Sequence, residues 1–216
     1  MSKVVAEITM SLDGFVAGPN ATLEDPLGEG GERLHDWAVE LAAWRERHGM
    51  EGGGRNADSE RMARAVEATG AVVMGRRMFS GGDGPWESDP NADGWWGDDP
   101  PFRVPVFVLT HHTRATVPKQ GGTTFTFVED GIESAVEQAK AAAGEKNVSV
   151  AGGASAIQQA LRAGLVDELE LHLAPLLLGS GTRLFADVGP EDAALECVDA
   201  VGSPNVTHIT YRVRKA

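Results

Sequence analysis

One cysteine, Cys197, stands in a chain of 216 residues. A lone thiol excludes an internal disulfide and suits a reducing, cytoplasmic setting. Basic residues are scarce as well: 19 Lys and Arg face 32 Asp and Glu, a formal net charge of −13. That field repels nucleic-acid phosphates and anionic lipid, so no nucleic-acid or membrane partner is expected, and any anion site must be a local basic cluster. No apolar run approaches the ~20 residues of a membrane helix. The opening "MSKVVAEITMSLDG" is broken by Glu7 and Asp13 and reads as a first strand, not a signal peptide. Several catalytic signatures are missing too. H-E-x-x-H is absent, and His111-His112, adjacent in a loop, cannot comfortably share one ion, so no metal site is expected. Ser155 lies in "GASA" and not in a G-x-S-x-G elbow. Neither the Walker A loop nor the Rossmann glycine fingerprint is completed anywhere.

What is present is a chain with 42% apolar residues, enough for one globular domain spanning 1–216, with no internal repeat or linker. "KVVAEITMSL", "AVVMG", "PVFVLT", "TTFTFV", "NVSVA", "DELELHLAPLLLG", "ALECVDAV" and "VTHITYRVR" read as eight strands. Between them, "RLHDWAVELAAWRERHG" spaces Leu34, Trp37, Ala38, Leu41 and Trp44 as one continuous helix. "SERMARAVEATG" reads as a helix capped by Asp58, "GIESAVEQAKAAAG" as one capped by Asp130, and "ASAIQQALRAG" as a third. Residues 80–103, rich in Trp, Gly and Pro, form a long irregular loop that suits a lid. Strands alternating with helices predict an α/β fold: a mixed, mostly parallel eight-stranded sheet with helices on both faces.

In such sheets ligands bind beyond the carboxyl ends of the strands. The residues there are "GRRMF" after residue 74, "THHTR" after 109 and "GGASA" after 151. Together they set Arg76, Arg77, His111 and Arg114 beside a glycine turn that opens a helix. Helix N-terminal N–H groups and a side-chain-free backbone let a pyrophosphate approach, so the coincidence points to a nucleotide. His172 alternates with Leu171 and Leu173, which fits either a satisfied core histidine or a proton donor lining a pocket. Asp36 reads as a solvated or capping residue, and the tryptophans at 86, 95 and 96 as lid or pocket residues.

"ITMSLDGFVAG", "AVVMGRRMF", "PVFVLT", "VSVAGGASAIQQAL" and "VDELELHLAPLLLGSGTRLF" resemble, in this order, the dihydrofolate-reductase-like superfamily, in the branch of the riboflavin-biosynthesis reductase domain. The resemblance covers most of the chain outside 18–57 and 80–103. It implies an NADPH-dependent reductase passing hydride to a small, planar heterocyclic or carbonyl substrate. It also implies a grip on the adenosine 2′-phosphate and ribose by Gly75, Arg76, Arg77, Thr110, His111 and Arg114. Ala151, Gly152, Gly153, Ala154 and Ser155 would support the pyrophosphate, and Thr9, Val16, Ala17 and Thr182 would lie near the nicotinamide. Met78 stands where the family often has a threonine, and Ala154 where a third glycine is common. No P-C-x-x-C exists for the deaminase half of the bifunctional riboflavin enzyme. Members of this branch are often homodimers, and the long apolar "ELELHLAPLLL" would need cover. A non-catalytic nucleotide-binding module of the same fold is the other function these residues permit.

Overall fold

Alternation along the strands sets the two faces of the sheet, and the computed structural model describes it over residues 2–214. The chain opens with β1 (Val4–Ser11) and a short β2 (Phe15–Ala17), followed by α1 (Asp36–Val39), α2 (Ala42–Arg47) and α3 (Ala57–Ala68). β3 (Thr69–Gly75) leads into α4 (Arg76–Ser80), and a long loop precedes β4 (Pro105–Leu109), the two-residue β5 (Val117–Pro118) and β6 (Thr124–Val128). Then come α5 (Gly131–Ala143), β7 (Asn147–Gly152), α6 (Ala154–Arg162), β8 (Glu168–Ala174), β9 (Thr182–Arg183) and the closing pair β10 (Ala194–Gly202) and β11 (Thr207–Arg214).

All eight expected strands are present. With β5 they make a nine-stranded sheet in the order β10-β11-β8-β1-β7-β3-β4-β6-β5, while β2 and β9 pair separately. From β8 to β6 every neighbouring pair is parallel, and the β8–β11, β11–β10 and β6–β5 pairs are antiparallel. Val4, Ala6, Val73, Val148, Val150 and Leu169 point to one face, against Ile132, Ala135, Val136 and Ala139 of α5 and Ile157 and Leu161 of α6. Spacing of three and four residues on both helices explains that apolar stripe.

The other face has two different covers. Under β3, β4 and β6 the apolar residues Val72, Met74, Val106, Val108 and Phe125 pack with Phe79, Trp86 and Trp96. The 80–103 loop therefore does the work of a helix there. Under β1, β8 and β11, cover comes from Trp37 and Ala38 of α1, Met62 of α3 and Leu41 between α1 and α2.

Four readings need correction. The helix expected over 33–49 breaks at Leu41, which takes an extended conformation and bridges to Gly54. The apolar spacing survives the break, because Leu34, Trp37, Ala38 and Leu41 are all buried. Asn56 caps α3 through Ser59 N–H, not Asp58, which is buried and turned to His208. Asp130 makes no side-chain cap to α5. β8 ends at Ala174 and lies between β1 and β11, so the expected strand is shorter than read: Leu169 and Leu171 are buried, while Leu177 beyond its end is exposed.

Candidate functional site

The parallel strands β1, β3, β4, β7 and β8 all end at one edge, so the loops that follow them meet there. Gly75 and the turn after β7 nearly touch: a methyl group on Gly75 would stand 3.7 Å from Gly153 N and 3.8 Å from Gly152 O. Gly152 has φ +115°, a conformation side chains rarely adopt, and a Cβ there would meet Ile8 Cδ1 at 3.4 Å and Met78 Sδ at 3.8 Å. The Gly152–Gly153 peptide is cis. Above Gly153 nothing lies within 4 Å of a would-be Cβ. Ala151 is half-buried and Ala154 buried, while Ser155 is exposed at the start of α6, whose N-terminus no side chain caps. Uncapped N–H groups beside open space suit an anionic ligand.

The basic cluster is divided. Arg76 is buried, and its Nη2 lies 2.5 Å from Asp89 Oδ2, with side chains 6% and 4% exposed. Trp86 lies over the guanidinium, 3.5 Å from Cζ to the ring centre. Ser80 Oγ and Asn91 N–H also donate to Asp89, at 2.6 and 2.8 Å. Burial alone would raise this carboxyl, but those hydrogen bonds and Arg76 hold it below its ordinary range. Arg76 is thus occupied by the chain's own anion, which corrects its expected role as a phosphate grip. Arg77 and His111 are exposed, and Arg77 makes only a solvent-facing pair with Asp83. Arg114 reaches Ala92 O and Asp93 and also packs on Trp86. Thr110 is buried, its hydroxyl accepting from His112 N–H at 3.1 Å. The loop itself is braced by two indoles: Trp86 Nε1 donates to His112 O and Trp95 Nε1 to Met78 O, at 2.8 and 2.9 Å.

At the other end of the edge, β2 and β9 bring Ala17 opposite Thr182, with Val16 buried beside them. Asp13 clamps this region. Ser11 Oγ and the N–H groups of Leu178 and Gly179 donate to its carboxylate and hold its pKa down to about 2. Thr9 is buried and accepts from Trp37 Nε1 at 3.3 Å. Next to it opens a cleft of about 300 Å3, lined by Arg33, Asp36, Trp37, Ala174, Pro175, Leu176 and Asn205. Asp36 therefore lines a cleft instead of only facing solvent. The break at Leu41 shortens its helix and disguises that placement in a periodicity reading.

His172 does not line that cleft; it lies beneath Trp37 in a polar chain that crosses the sheet. His172 Nε2 meets Glu7 Oε1 at 3.0 Å, its Nδ1 meets His208 Nδ1 at 2.8 Å, and His208 Nε2 meets Asp58 Oδ1 at 3.2 Å. Register explains the assembly: Glu7 stands beside Glu170, and His172 beside both Thr9 and His208. Trp37 packs on both imidazoles, with ring centres 5.1 and 5.2 Å apart. Burial would raise Glu7, but His172 holds it below the usual carboxylate range. Burial lowers His208, while burial and the neighbouring Glu7 raise Glu170. Only the outward face of this chain was legible in sequence, through His172; pairing with β11 and α3 is a tertiary event.

A family model described as the RibD C-terminal domain matches residues 2–209. The uncharacterized protein YyaP of Bacillus subtilis (strain 168) is 42% identical over 196 residues, covering 86% of this chain and 81% of that protein. In fold the chain is similar to a provisionally assigned riboflavin biosynthesis protein from Shewanella sp. PV-4, with TM-score 0.62 at 20% identity over 99% of each chain. It is also similar to dihydrofolate reductase from Enterococcus faecalis, solved with NADP(H) and RAB-propyl, with TM-score 0.52 at 12% identity over 99% of this chain and 97% of that one. The architecture is dihydrofolate-reductase-like.

Proposed function

The chain belongs to the RibD C-terminal domain family and carries an oxidoreductase fold, and from that premise we propose an NADPH-dependent reductase of a small, planar heterocyclic or carbonyl substrate. The observation that supports it best is the open backbone at Gly153, beside uncapped N–H groups and the exposed side chains of Arg77 and His111. Gly75, Gly152, Gly153 and Ser155 fit a pyrophosphate, since Gly152 has a φ of +115° that side chains rarely adopt and the space above Gly153 is open. Arg77, with His111 and Arg114 from the next loop, would hold the 2′-phosphate, and Thr110 and Met78 would shape the floor. Thr9, Val16, Ala17 and Thr182 border the end where the cleft opens, and there the substrate would lie between Trp37 and Asp36. When bound, the dihydronicotinamide supplies the hydride. The chain's part is to orient the acceptor and exclude water.

Calorimetry with NADPH and NADH tests the cofactor. A hydrogen bond to a charged group contributes on the order of 1.5–3 kcal/mol, so Arg77→Ala should weaken NADPH by about ten-fold or more and leave NADH nearly unchanged. Equal loss for both cofactors removes the 2′-phosphate assignment. Binding of neither at millimolar concentration removes the reductase reading. Loss of dihydronicotinamide absorbance against a panel of pyrimidine, pteridine and carbonyl acceptors then identifies the substrate.

A further inference from the structure

The contacts among Glu7, His172, His208 and Asp58 number three, and each needs one proton. An ionised carboxylate only accepts, so Nε2 of His172 carries a proton toward Glu7 and Nε2 of His208 carries one toward Asp58. The middle contact joins two Nδ1 atoms 2.8 Å apart. Two neutral rings bring two protons, and both are already placed, which leaves two bare lone pairs facing each other. We propose that this chain stores a third proton as a buried imidazolium, and that the stored proton keeps Trp37 in place as the wall of the cleft.

The surroundings favour a cation between the carboxylates. Glu7 on β1, Glu170 on β8 and Asp58 on α3 all border the pair. Two guanidinium groups stand nearby: Arg61 of α3, paired with Asp199 at 2.5 Å, opposes positive charge on His208, and Arg47 of α2, donating to Pro101 O at 2.7 Å, favours the ionised form of Glu7. Burial first, and then the neighbouring His172 ring, disfavours the charged form of His208 against the opposing pull of Asp58. If the proton leaves, the facing lone pairs repel, and one ring must turn away and abandon Glu7 or Asp58. Trp37 packs on both rings and cannot stay where it is when either turns. A cavity of about 10 Å3, room for one water, touches all four members and gives the proton a way in and out. The imidazolium stands independently of the proposed reductase activity; only the cleft's use as the substrate end rests on that reading.

Two nearly isosteric variants discharge the pair without deleting a contact. The amide of Asp58→Asn or Glu7→Gln can donate to the facing imidazole nitrogen, so two neutral rings then fill all three contacts. Imidazole nitrogen NMR on the cofactor-free protein at pH 7.5 should show one imidazolium in the wild type and none in either folded variant. The Trp37 indole signal should shift in the wild type as the imidazolium is titrated away at higher pH, and stay fixed in Asp58→Asn. Two neutral rings in the wild type, or an imidazolium that survives in both variants, overturns the proposal. So does a Trp37 signal indifferent to that titration. One carboxylate oxygen each of Glu7 and Glu170 and a ring nitrogen of His172 lie within 4.8 Å of one another. One equivalent of zinc that EDTA removes from the purified protein, with loss of the imidazolium signal when it is restored, would assign the charge to a metal and overturn the stored proton.

Discussion

Under Trp86 a guanidinium meets a carboxylate, whereas under Trp37 two imidazoles stand between two carboxylates. Both sites lie on the same face of the sheet, one beneath β3 and β4, the other beneath β1, β8 and β11. The first has one charge of each sign, and among the described residues its single buried atom without a partner is Arg76 Nε. It is a fastener, fixed over the whole ordinary pH range. The second is built on imidazole, the side chain whose ordinary charge change lies nearest physiological pH, so its charge can follow the medium. Burial alone does not make a polar cluster structural or responsive; the chemical identity of the cation decides.

Removing one partner at each site is the sharpest way to break the comparison. Asp89→Ala strands a buried guanidinium and should cost about 3–5 kcal/mol in urea denaturation. Asp58→Ala leaves a neutral imidazole N–H unpaired and should cost about 1–3 kcal/mol, while Asp58→Asn stays under about 1. If Asp58→Ala proves as costly as Asp89→Ala, the two sites do not differ as described.

Acid sharpens it further. His35, His48 and His208 are all lowered, chiefly by burial. Their unfolded forms bind protons first as pH falls through about 6.5, so folded-state stability present above that value is lost below it. These three lowered rings outnumber the one imidazolium proposed above, whose contribution has the opposite sign, so the melting temperature should drop between pH 7.5 and 5.5, a window in which Asp89 stays ionised. A flat profile across that window would contradict the burial of these rings. The smallest effect belongs to Arg77→Ala. Its partner Asp83 is solvent-facing, so stability should change by less than about 0.5 kcal/mol while NADPH binding falls.

Local pattern carried the strands well, because wholly apolar runs such as "AVVMG" have one explanation when both faces are covered. The glycine turn after β7 and the convergence of three loops were legible for the same reason: strand order places every carboxyl end on one edge. Three other features were not. The break at Leu41 depends on its bridge to Gly54, thirteen residues on, and leaves no mark on apolar spacing. Arg76 is taken by Asp89 across the 80–103 loop, so an arginine directly after a strand looked available when it was not. That loop was read as a lid, yet Trp86 and Trp96 complete the core under β4 and β6. Tryptophan in a glycine-rich stretch does not reveal whether its ring faces a ligand or the sheet.

The position of β1 has a consequence for how the molecule is made. Residues 4–11 form an interior strand whose neighbours are Val148–Val150 on one side and Glu168–Ala174 on the other. This strand thus waits for partners about 140 to 165 residues downstream, and pairings so distant in sequence slow folding through the entropy of closing large loops. During synthesis Val4, Ala6 and Met10 stay without their sheet until β7 and β8 have left the ribosome. A nascent chain stalled before residue 145 should remain sensitive to protease, and protection should arrive abruptly once β8 emerges.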